Sequence, residues 1–463
     1  MAAHDGLAPA HDVIEVALKA SRAMGCVVIV EETSDAEVRF ANNTMTTNGQ
    51  RRSRRVTVVS VRDVSGGVAS GVASRDGAFD VVDLVREAEV SAGSSTPSSD
   101  AADLAGGPVA SDFAEPALET SLAIFDHIVH DLGGAFERAE DASTTLAGFV
   151  SHSLRTTYLG SSSGLRRRFV QRTGSFEMMS RAAGRASAWA AVGTPDFSGV
   201  TVAALEEELS RRLGWAQRSV DVEAGRYDVV LPPTAVGDFM GFLYIYAGGQ
   251  DAEDGKTVFS KAGGKTRVGE RLATLPFQLR SDPREQGIEC APFLAVSSSS
   301  PLASVFDNGI DLGLTKWLDD GRLNALQYHR AGAARSRVDF AGPIDNLALE
   351  LPGAKGTVSD LVTATERGLL LTCLWYIEVV DPATLLLTGL TRDGVYVIED
   401  GMIVGAANNF RFNQSPVDLL ASAQEAGATV RTFSRAFGEE FNRMAMPPLR
   451  VHDFNMSTVS PAN

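Results

Sequence analysis

The sequence has few cysteines and no segment that would direct it to or through a membrane. Its cysteines are three, Cys26, Cys290 and Cys373, odd in number and far apart, so neither a disulfide framework nor a paired-cysteine zinc site is expected. The first residues, MAAHDGLAPAHD, lack the basic and apolar parts of a secretory signal. The most apolar run, 368–377, is much shorter than the roughly 20 residues that span a bilayer. These absences predict a cytoplasmic protein with no membrane association.

Positive charge is also scarce in this chain. Lys and Arg total 42 against 58 Asp and Glu, which gives a net charge of −16 and disfavours binding to nucleic acid, because phosphate repels an acidic protein. Apolar residues make up 44% of the 463 residues, enough for a globular protein of two or three domains. Arginines cluster at 51–55 and 166–168, beside glycine-containing turns, and we interpret both clusters as solvated hairpin tips.

A zinc-protease motif is missing as well. Such a site needs two histidines on one helix face and a glutamate base, and none of the seven histidines stands in that pattern. His127 and His130 have the spacing of a helix face, but they lie opposite the expected apolar stripe, beside Asp126 and Asp131. This arrangement predicts a solvated helix surface.

Two further motifs fail on their surroundings. The segment 160–164 fits G-x-S-x-G around Ser162, but the charged, strand-like sequence after it predicts a hairpin turn and not a nucleophile elbow. The GKT triplets at 255–257 and 264–266 lack the first glycine of a phosphate-binding loop, since Gln250 and Phe259 occupy that position. Neither a serine hydrolase nor a nucleotide-binding protein is expected.

In the first half of the chain, helical and strand patterns alternate. The predicted helices are 13–24, 81–92, 118–140 and 202–213. The predicted strands are 26–30, 37–40, 45–48, 56–61 and 66–74, then a hairpin over 147–169 and a further strand region at 176–191. Asn48-Gly49 is a hairpin signal. A low-complexity polar segment at about 91–110 is predicted to be a loop within the same domain.

The most informative stretch is 226–266. A strand at 227–231 stops at Pro232 and Pro233, which suit a first helical turn. An apolar helix at 235–246 follows, Gly248 and Gly249 end it, and an acidic loop at 250–255 comes next.

A series of landmarks continues from this stretch to the C-terminus. In order they are GRYDVVLPP (225–233), DGKTVFSKAGGKTRVGERL (254–272), SVFDNGID (304–311), WLDDGRLNALQYHRAGAAR (317–335), PIDNLALELPG (343–353), GLLLTCLWYI (368–377) and TGLTRDGVYVIEDGMIVGAANNFRF (388–412). Together with the YLGSSSGLRRR hairpin, they resemble the TldD/PmbA family over almost the whole chain. The resemblance implies an α+β fold with an N-terminal α/β domain of meander sheets at 1–219 and a β-rich C-terminal domain at 220–463.

The resemblance also implies which branch the chain is similar to. TldD-like members carry H-E-x-x-x-H in the helix that corresponds to 235–246, and they take a cysteine ligand from a C-terminal segment. Here the helix reads AVGDFMGFLYIY, and 432–451 contains no cysteine. The chain therefore resembles the PmbA/TldE branch, which lacks the motif.

That branch implies a non-catalytic subunit of a TldD/TldE-type heterodimeric zinc metallopeptidase that degrades or processes unfolded peptides. No cofactor is expected in this chain, and zinc is expected in a TldD-like partner. The degenerate active-site helix would present Asp238, Phe239, Phe242, Tyr244 and Tyr246, of which the two tyrosines either contact peptide or partner or belong to the core. Further peptide or partner contacts are predicted at Tyr158, Ser161, Ser162, Arg166 and Arg167.

Two other functions stay open at this point. One is a self-contained metallopeptidase with a site that the motifs do not reveal. The other is a peptide-binding accessory in peptide maturation that acts without proteolysis.

Overall fold

A computed structural model of the chain describes residues 8–182, 186–438 and 441–460. Its first half is built around one antiparallel sheet of six strands in the order β3-β2-β1-β4-β5-β6. The strands are β1 Gly25–Ala41, β2 Thr44–Val64, β3 Gly67–Asp76, β4 Thr144–Ser161, β5 Arg166–Ala182 and β6 Ser187–Thr194. The helices are α1 Ala10–Ala20, α2 Val81–Ser94, α3 Asp126–Asp141 and α4 Val202–Trp215, with a 3₁₀ turn at Leu122–Phe125.

The two faces of this sheet have different surroundings. Alternate strand residues point to opposite faces, and Val28 and Val30 belong to a core that also contains residues of α1 and α2. On the other face, Val27 and Ile29 pack with Phe293 and other residues of the second half of the chain. Farther along the same face the residues are polar, and this polar part of the sheet forms one wall of the groove described below.

The predicted hairpin at Asn48-Gly49 is wrong. Those residues lie inside β2, where Asn48 pairs with Val38 of β1. The chain turns instead at Asn42 and Asn43, whose φ angles of 51° and 56° suit a two-residue turn between twisted strands. The Asn43 side chain bonds the backbone of Thr144 and Leu146, so contacts with β4 fix the turn. The predicted short strands merge into β1 and β2.

The arginines at 51–55 also lie within β2, so the interpretation as a hairpin tip is wrong for them. Arg54 forms an ion pair with Glu32, which stands opposite it on β1. Arg55 forms an ion pair with Asp76, opposite it on β3. Cross-strand pairing with acidic neighbours accounts for this basic run. The second cluster, 166–168, does follow a hairpin turn and begins β5.

Several helix and loop boundaries differ from the predictions. Helix α1 ends at Ala20 and buries Ala10, Ile14 and Ala17, whereas Val16 and Met24, both within the predicted helix 13–24, are exposed. The predicted helix 118–140 is shorter, because a 3₁₀ turn precedes α3 and Leu118 is exposed. Helix α2 extends to Ser94, into the start of the polar segment. The predictions for α2 and α4 and for the β4–β5 hairpin are confirmed, and residues 183–185 of the strand region 176–191 lie outside the described residues.

The second half is rich in strands, as the resemblance implied. Its helices are α5 Pro233–Ile245, α6 Gly249–Glu253, α7 Arg330–Ser336, α8 Val358–Thr363 and α9 Pro416–Ala421. Its strands are β7 Ser219–Val220, β8 Gly225–Leu231, β9 Ser260–Lys261, β10 Lys265–Thr266, β11 Gln278–Ser281, β12 Thr315–Asp319, β13 Arg322–Leu323, β14 Leu347–Glu350, β15 Arg367–Leu371, β16 Leu374–Asp381, β17 Leu386–Thr391, β18 Val395–Glu399, β19 Met402–Ala407, β20 Phe410–Gln414, β21 Ala423–Ala426, β22 Val430–Thr432, β23 Met444–Met446 and β24 Leu449–Val459.

These strands form a ten-stranded sheet, a six-stranded sheet and a small two-stranded sheet. The acidic segment 250–255, predicted as a loop, is mostly the short helix α6. The fold is therefore α+β in both halves. None of the described helices combines the length and apolar character needed to cross a membrane.

Candidate functional site

Helix α5 occupies the centre of the second half. Strand β8 leads into it, Pro232 caps it and Pro233 takes its first position, as predicted. The helix is buried nearly all round, and Ile245 at its end is its one strongly exposed apolar residue. A helix that is apolar on every face belongs in the interior of a protein.

Asp238 is the one charged side chain on this helix, and it is 1% exposed. Its Oδ1 atom accepts a hydrogen bond from the Ser434 hydroxyl at 2.7 Å and another from the Ala436 N–H at 2.9 Å. Burial raises the pKa of Asp238 to about 6, against the effect of these two bonds. The carboxyl group therefore joins α5 to the segment that follows β22.

Aromatic packing joins the same two segments. The rings of Phe242 and Phe437 lie 4.9 Å apart between centroids. A Cβ atom on Gly241 would meet the Phe437 ring at 2.4 Å, so the glycine permits this close approach. On the other side of the helix, Phe239 packs against Phe412 and Phe454 of the ten-stranded sheet.

Tyr244 forms part of the core and also one side of a groove. Its hydroxyl group donates to the Ile344 carbonyl at 2.8 Å and accepts from the Ile344 N–H at 2.6 Å. Its ring lies parallel to that of Phe441, with centroids 5.4 Å apart. Burial raises the pKa of the Tyr244 hydroxyl. Tyr246 is half-buried and packs against the core at the end of α5.

The groove lies between the polar part of the N-terminal sheet and the second half of the chain, and it encloses about 550 Å³. One wall consists of residues of β1, β4 and β5, namely Glu31, Ser153, Arg155, Thr157, Phe169, Gln171 and Thr173. The other wall contains Ala291 and 293–296, Pro343 to Asp345, Tyr244, Phe441 and Arg443. The volume falls within the range of ligand-binding clefts.

Arg443 connects the two walls. It forms an ion pair with Asp345 and donates to the Thr173 hydroxyl of β5 at 2.8 Å. Arg155, by contrast, is exposed and forms no ion pair with any described residue. The groove therefore contains two arginines together with the carboxylates of Glu31 and Asp345, and the charge of Arg155 acts on the Asp345 carboxylate.

Comparison with known proteins gives the family. The model of the PmbA/TldA metallopeptidase C-terminal domain matches residues 224–458, which include β8, α5 and the second wall of the groove. The chain belongs to the PmbA/TldD metallopeptidase family. A comparison with curated proteins gave no match.

Three solved structures share the fold of nearly the whole chain. TldE from Thermococcus kodakarensis is 16% identical, with a TM-score of 0.75 over 96% of this chain and 98% of that one. A proposed DNA gyrase modulator from Thermotoga maritima is 15% identical, with a TM-score of 0.73 over 93% and 95%. A similarly described protein from Bacteroides thetaiotaomicron is 15% identical, with a TM-score of 0.72 over 97% and 98%.

The residues where α5 meets the segment after β22 do not fit the zinc ion that this metallopeptidase family implies. Zinc in proteins is held by histidine nitrogen, cysteine sulfur and carboxylate oxygen. Here the meeting point contains the Asp238 carboxylate, which already accepts two hydrogen bonds, and the Phe242 and Phe437 rings. No group of three or more potential ligands that could hold a metal occurs among the described residues, and 439–440 lie outside them.

The five residues predicted near the β4–β5 turn lie apart from the groove. Tyr158 is 1% exposed, and its hydroxyl group donates a hydrogen bond to the Glu115 carbonyl. Ser161 is also buried. The Ser162 hydroxyl accepts from the Cys26 N–H, and Arg166 and Arg167 form ion pairs with Glu15 and Asp311. These contacts hold the turn in place, and a peptide or partner role for the five residues stays a prediction.

Two details near the β4–β5 turn and α3 agree with the sequence interpretation. Ser162 lies in a tight turn between two strands, where no helix follows as a nucleophile elbow requires. His127 and His130 lie on the exposed side of α3.

Sequence reasoning missed the groove itself. The alternation of polar residues along β4 and β5, such as Ser153, Arg155 and Thr157, was a possible signal for that wall. No local pattern marks 291–296 or Arg443, because their role depends on distant parts of the chain meeting.

Proposed function

We propose that this chain is the non-catalytic, TldE-like subunit of a two-chain zinc metallopeptidase that degrades or processes unfolded peptides in the cytoplasm. A TldD-like partner would supply the zinc ion and the catalytic base. This chain would supply peptide-binding surface and the contacts between subunits.

The observation that carries the proposal is the contact between α5 and the segment after β22. By resemblance, these are the two segments that provide metal ligands in TldD-like chains. In this chain they still meet, but through Asp238 with Ser434 and through Phe242 with Phe437. Packing and hydrogen bonds there stabilise the helix without a metal.

The groove supports a role in handling peptides. Tyr244 of α5 fixes Ile344, and both residues line the groove, so the helix that carries the motif in TldD-like chains here supports a binding surface. Main-chain hydrogen bonds would hold an extended peptide of almost any sequence, which suits a substrate class of unfolded peptides.

The proposal is tested by purifying the chain alone and together with a TldD-like chain that carries H-E-x-x-x-H. We expect no stoichiometric zinc and no peptide cleavage from this chain alone, and both from a stable complex. The matched control is a complex whose TldD-like chain has its motif glutamate replaced by glutamine, which should assemble without cleaving.

Two other outcomes would contradict the proposal. Zinc and cleavage from the single chain would indicate a self-contained peptidase. Peptide binding without cleavage, even with the TldD-like chain present, would indicate an accessory that acts in peptide maturation.

A further inference from the structure

Strand β2 has an unpaired edge over part of its length. β3 pairs with β2 from Arg55 to Val64, and the last pair of this ladder joins Arg55 to Asp76. Residues 44–54 of β2 run beside β1 on one side. On the other side they have no strand neighbour within the part of the chain that the structure describes. β2 therefore continues past the end of β3 as an edge strand, as far as the turn at Asn42 and Asn43.

The main chain along this edge is open to a partner. The Gly77 N–H donates to the Arg54 carbonyl, so Arg54 directs its carbonyl to the side of β3. Alternate residues of a strand direct their main-chain groups to the same side, so Gln50 and Arg52 present theirs at the edge beyond the end of β3. Each residue from 44 to 53 is exposed. An extended, exposed edge of this kind is a template for pairing with a strand of another chain.

The charges of the edge are confined to one end. Arg51, Arg52 and Arg54 lie beside the end of β3, whereas residues 44–50 carry no charge. The middle residue of 44–54 is Gly49. When two copies of the edge pair in antiparallel fashion about Gly49, position 51 stands opposite 47 and position 52 stands opposite 46. The arginines of each copy then face threonines of the other, whereas a parallel pairing in register would place arginine against arginine and be destabilised.

The length of the edge also suits a second copy. In the antiparallel pairing about Gly49, residue 44 of one copy stands opposite residue 54 of the other. Each strand therefore fills the edge of the other from the end of β3 to the turn between β1 and β2. A two-fold axis brings the same surface of both copies together, so the surface must be complementary to itself, and this edge is.

We propose that a second copy of this chain pairs with residues 44–54 of β2, antiparallel and about a two-fold axis at Gly49. The N-terminal sheets of the two copies then form one continuous sheet. No residue of β2 lines the groove. The inference does not rest on the proposed function, because it concerns a different surface and needs neither a TldD-like chain nor zinc.

The first test is sedimentation equilibrium of the chain alone. Pairing of two strand edges makes a small interface, so we expect a reversible dimer with a dissociation constant of about 10–100 μM. Gln50→Pro removes an N–H from the open edge and should weaken the dimer at least about tenfold. Proline is tolerated on an edge strand where its position faces solvent, so this variant should keep the fold.

Gln50→Ala is the matched control, because it keeps the N–H and should associate like the natural chain. Equal association of the proline and alanine variants would overturn the inference. So would a natural chain that stays monomeric at concentrations of about 300 μM, well above the expected dissociation constant. That result would leave the edge to a different chain or to water.

The second test uses charge to check the register. Position 46 stands opposite Arg52 of the other copy, and the two-fold axis makes this contact twice. Thr46→Glu should therefore strengthen the dimer and Thr46→Lys should weaken it, each by about threefold to tenfold. The matched control introduces the same two residues at Ser210, which is exposed on α4 at a distance from β2 in the chain order of the sheet. The same response at positions 46 and 210 would contradict the pairing.

The third test joins the two copies covalently. In the proposed register Gly49 faces its own counterpart in a pair without main-chain hydrogen bonds, where the Cβ atoms are close. A Cβ atom on Gly49 meets nothing within 4 Å, and the natural cysteines are buried. Gly49→Cys should therefore form a disulfide-linked dimer when oxidised glutathione is added.

Gly133→Cys is the control for this reaction, since Gly133 is exposed on α3 and a Cβ atom there also meets nothing within 4 Å. It should give at least about tenfold less covalent dimer at the same concentration. Equal yields from the two variants would overturn the two-fold pairing. All three tests use the chain alone, so their results are independent of zinc, of peptide cleavage and of a TldD-like partner.

Discussion

The buried Asp238 carboxylate on α5 accepts a hydrogen bond from the Ser434 hydroxyl at 2.7 Å. These residues are far apart in sequence, and each belongs to one of the two segments that the family resemblance associates with metal ligands in TldD-like chains. Their contact shows how this chain keeps the two segments together. A carboxylate with two hydrogen-bond donors and a pair of aromatic rings holds them in place.

The charge of Asp238 predicts a pH dependence of stability. Its pKa of about 6 in the folded state lies above its ordinary value of 3.8, so the unfolded chain loses the proton first as the pH rises. The free energy of unfolding should therefore fall between about pH 4 and pH 6, by about 2–3 kcal/mol from this group. Asp238→Asn keeps an oxygen atom that can accept from Ser434 and Ala436. Because asparagine does not ionise, the variant should not lose stability from this position as the pH rises.

Urea unfolding near pH 4 and pH 8 measures the effect. The variant should match the natural chain near pH 4 and exceed its stability at pH 8. Asp360→Asn is the control, because hydrogen bonds to Thr357 lower the pKa of that exposed carboxyl and its effect on stability changes with pH only below about pH 4. Its difference from the natural chain should therefore be nearly the same at pH 4 and pH 8. A difference between the Asp238 variant and the natural chain that is independent of pH would contradict the prediction.

Gly241→Ala should destabilise the chain although alanine favours helices. The new Cβ atom would meet the Phe437 ring at 2.4 Å, and that ring is confined by Phe242 and Phe441. Overpacking should cost about 1–3 kcal/mol. Gly133→Ala in α3 is the control, since a Cβ atom there meets nothing within 4 Å, and it should leave stability unchanged or raise it by up to about 1 kcal/mol. Thermal unfolding of both variants checks the sign.

Tyr244→Phe should weaken the wall of the groove. The substitution leaves the N–H and C=O of Ile344 without the hydroxyl that bonds both of them, at a cost of about 1–3 kcal/mol. Tyr227→Phe removes a hydroxyl that donates to the Glu223 carbonyl at an exposed site, and its cost should be smaller. Similar losses of stability in the two variants would show that the buried Tyr244 hydrogen bonds contribute no more to stability than the exposed Tyr227 bond.

Arg330→Met should destabilise the contact between the two halves of the chain. Arg330 bonds the fully buried Asp307 carboxylate and also donates to the Asp103 carbonyl in the segment after α2. Removing it leaves a buried charge without its ion-pair partner, which costs about 3–5 kcal/mol. Arg335→Met loses a bond to the Ser99 carbonyl on the same segment but uncovers no buried charge. Urea denaturation should show a much larger loss for Arg330→Met.

Local sequence was a good guide where local chemistry is decisive. The two prolines before α5 and the apolar composition of that helix predicted its start and its burial. The charged sequence after Gly160–Gly164 predicted a hairpin in place of a nucleophile elbow. The missing histidines, glutamate and cysteine were already visible before any contact was known, because a metal site depends on residue identity.

Predictions from local sequence were wrong where contacts with a distant part of the chain determine the local structure. Asn48-Gly49 has the composition of a turn, but pairing with β1 keeps it within β2, and contacts with β4 fix the turn at Asn42 and Asn43. The arginines of β2 looked like a solvated tip until strand register placed Glu32 and Asp76 opposite them.

The sequence by itself therefore determined the composition of the core, the family resemblance and the absence of the zinc-protease motif from α5. Only the tertiary structure decided that α5 contacts the segment after β22 and that Tyr244 supports a groove. The reason is physical: a residue's identity is local, whereas a groove exists only once segments distant in sequence pack together.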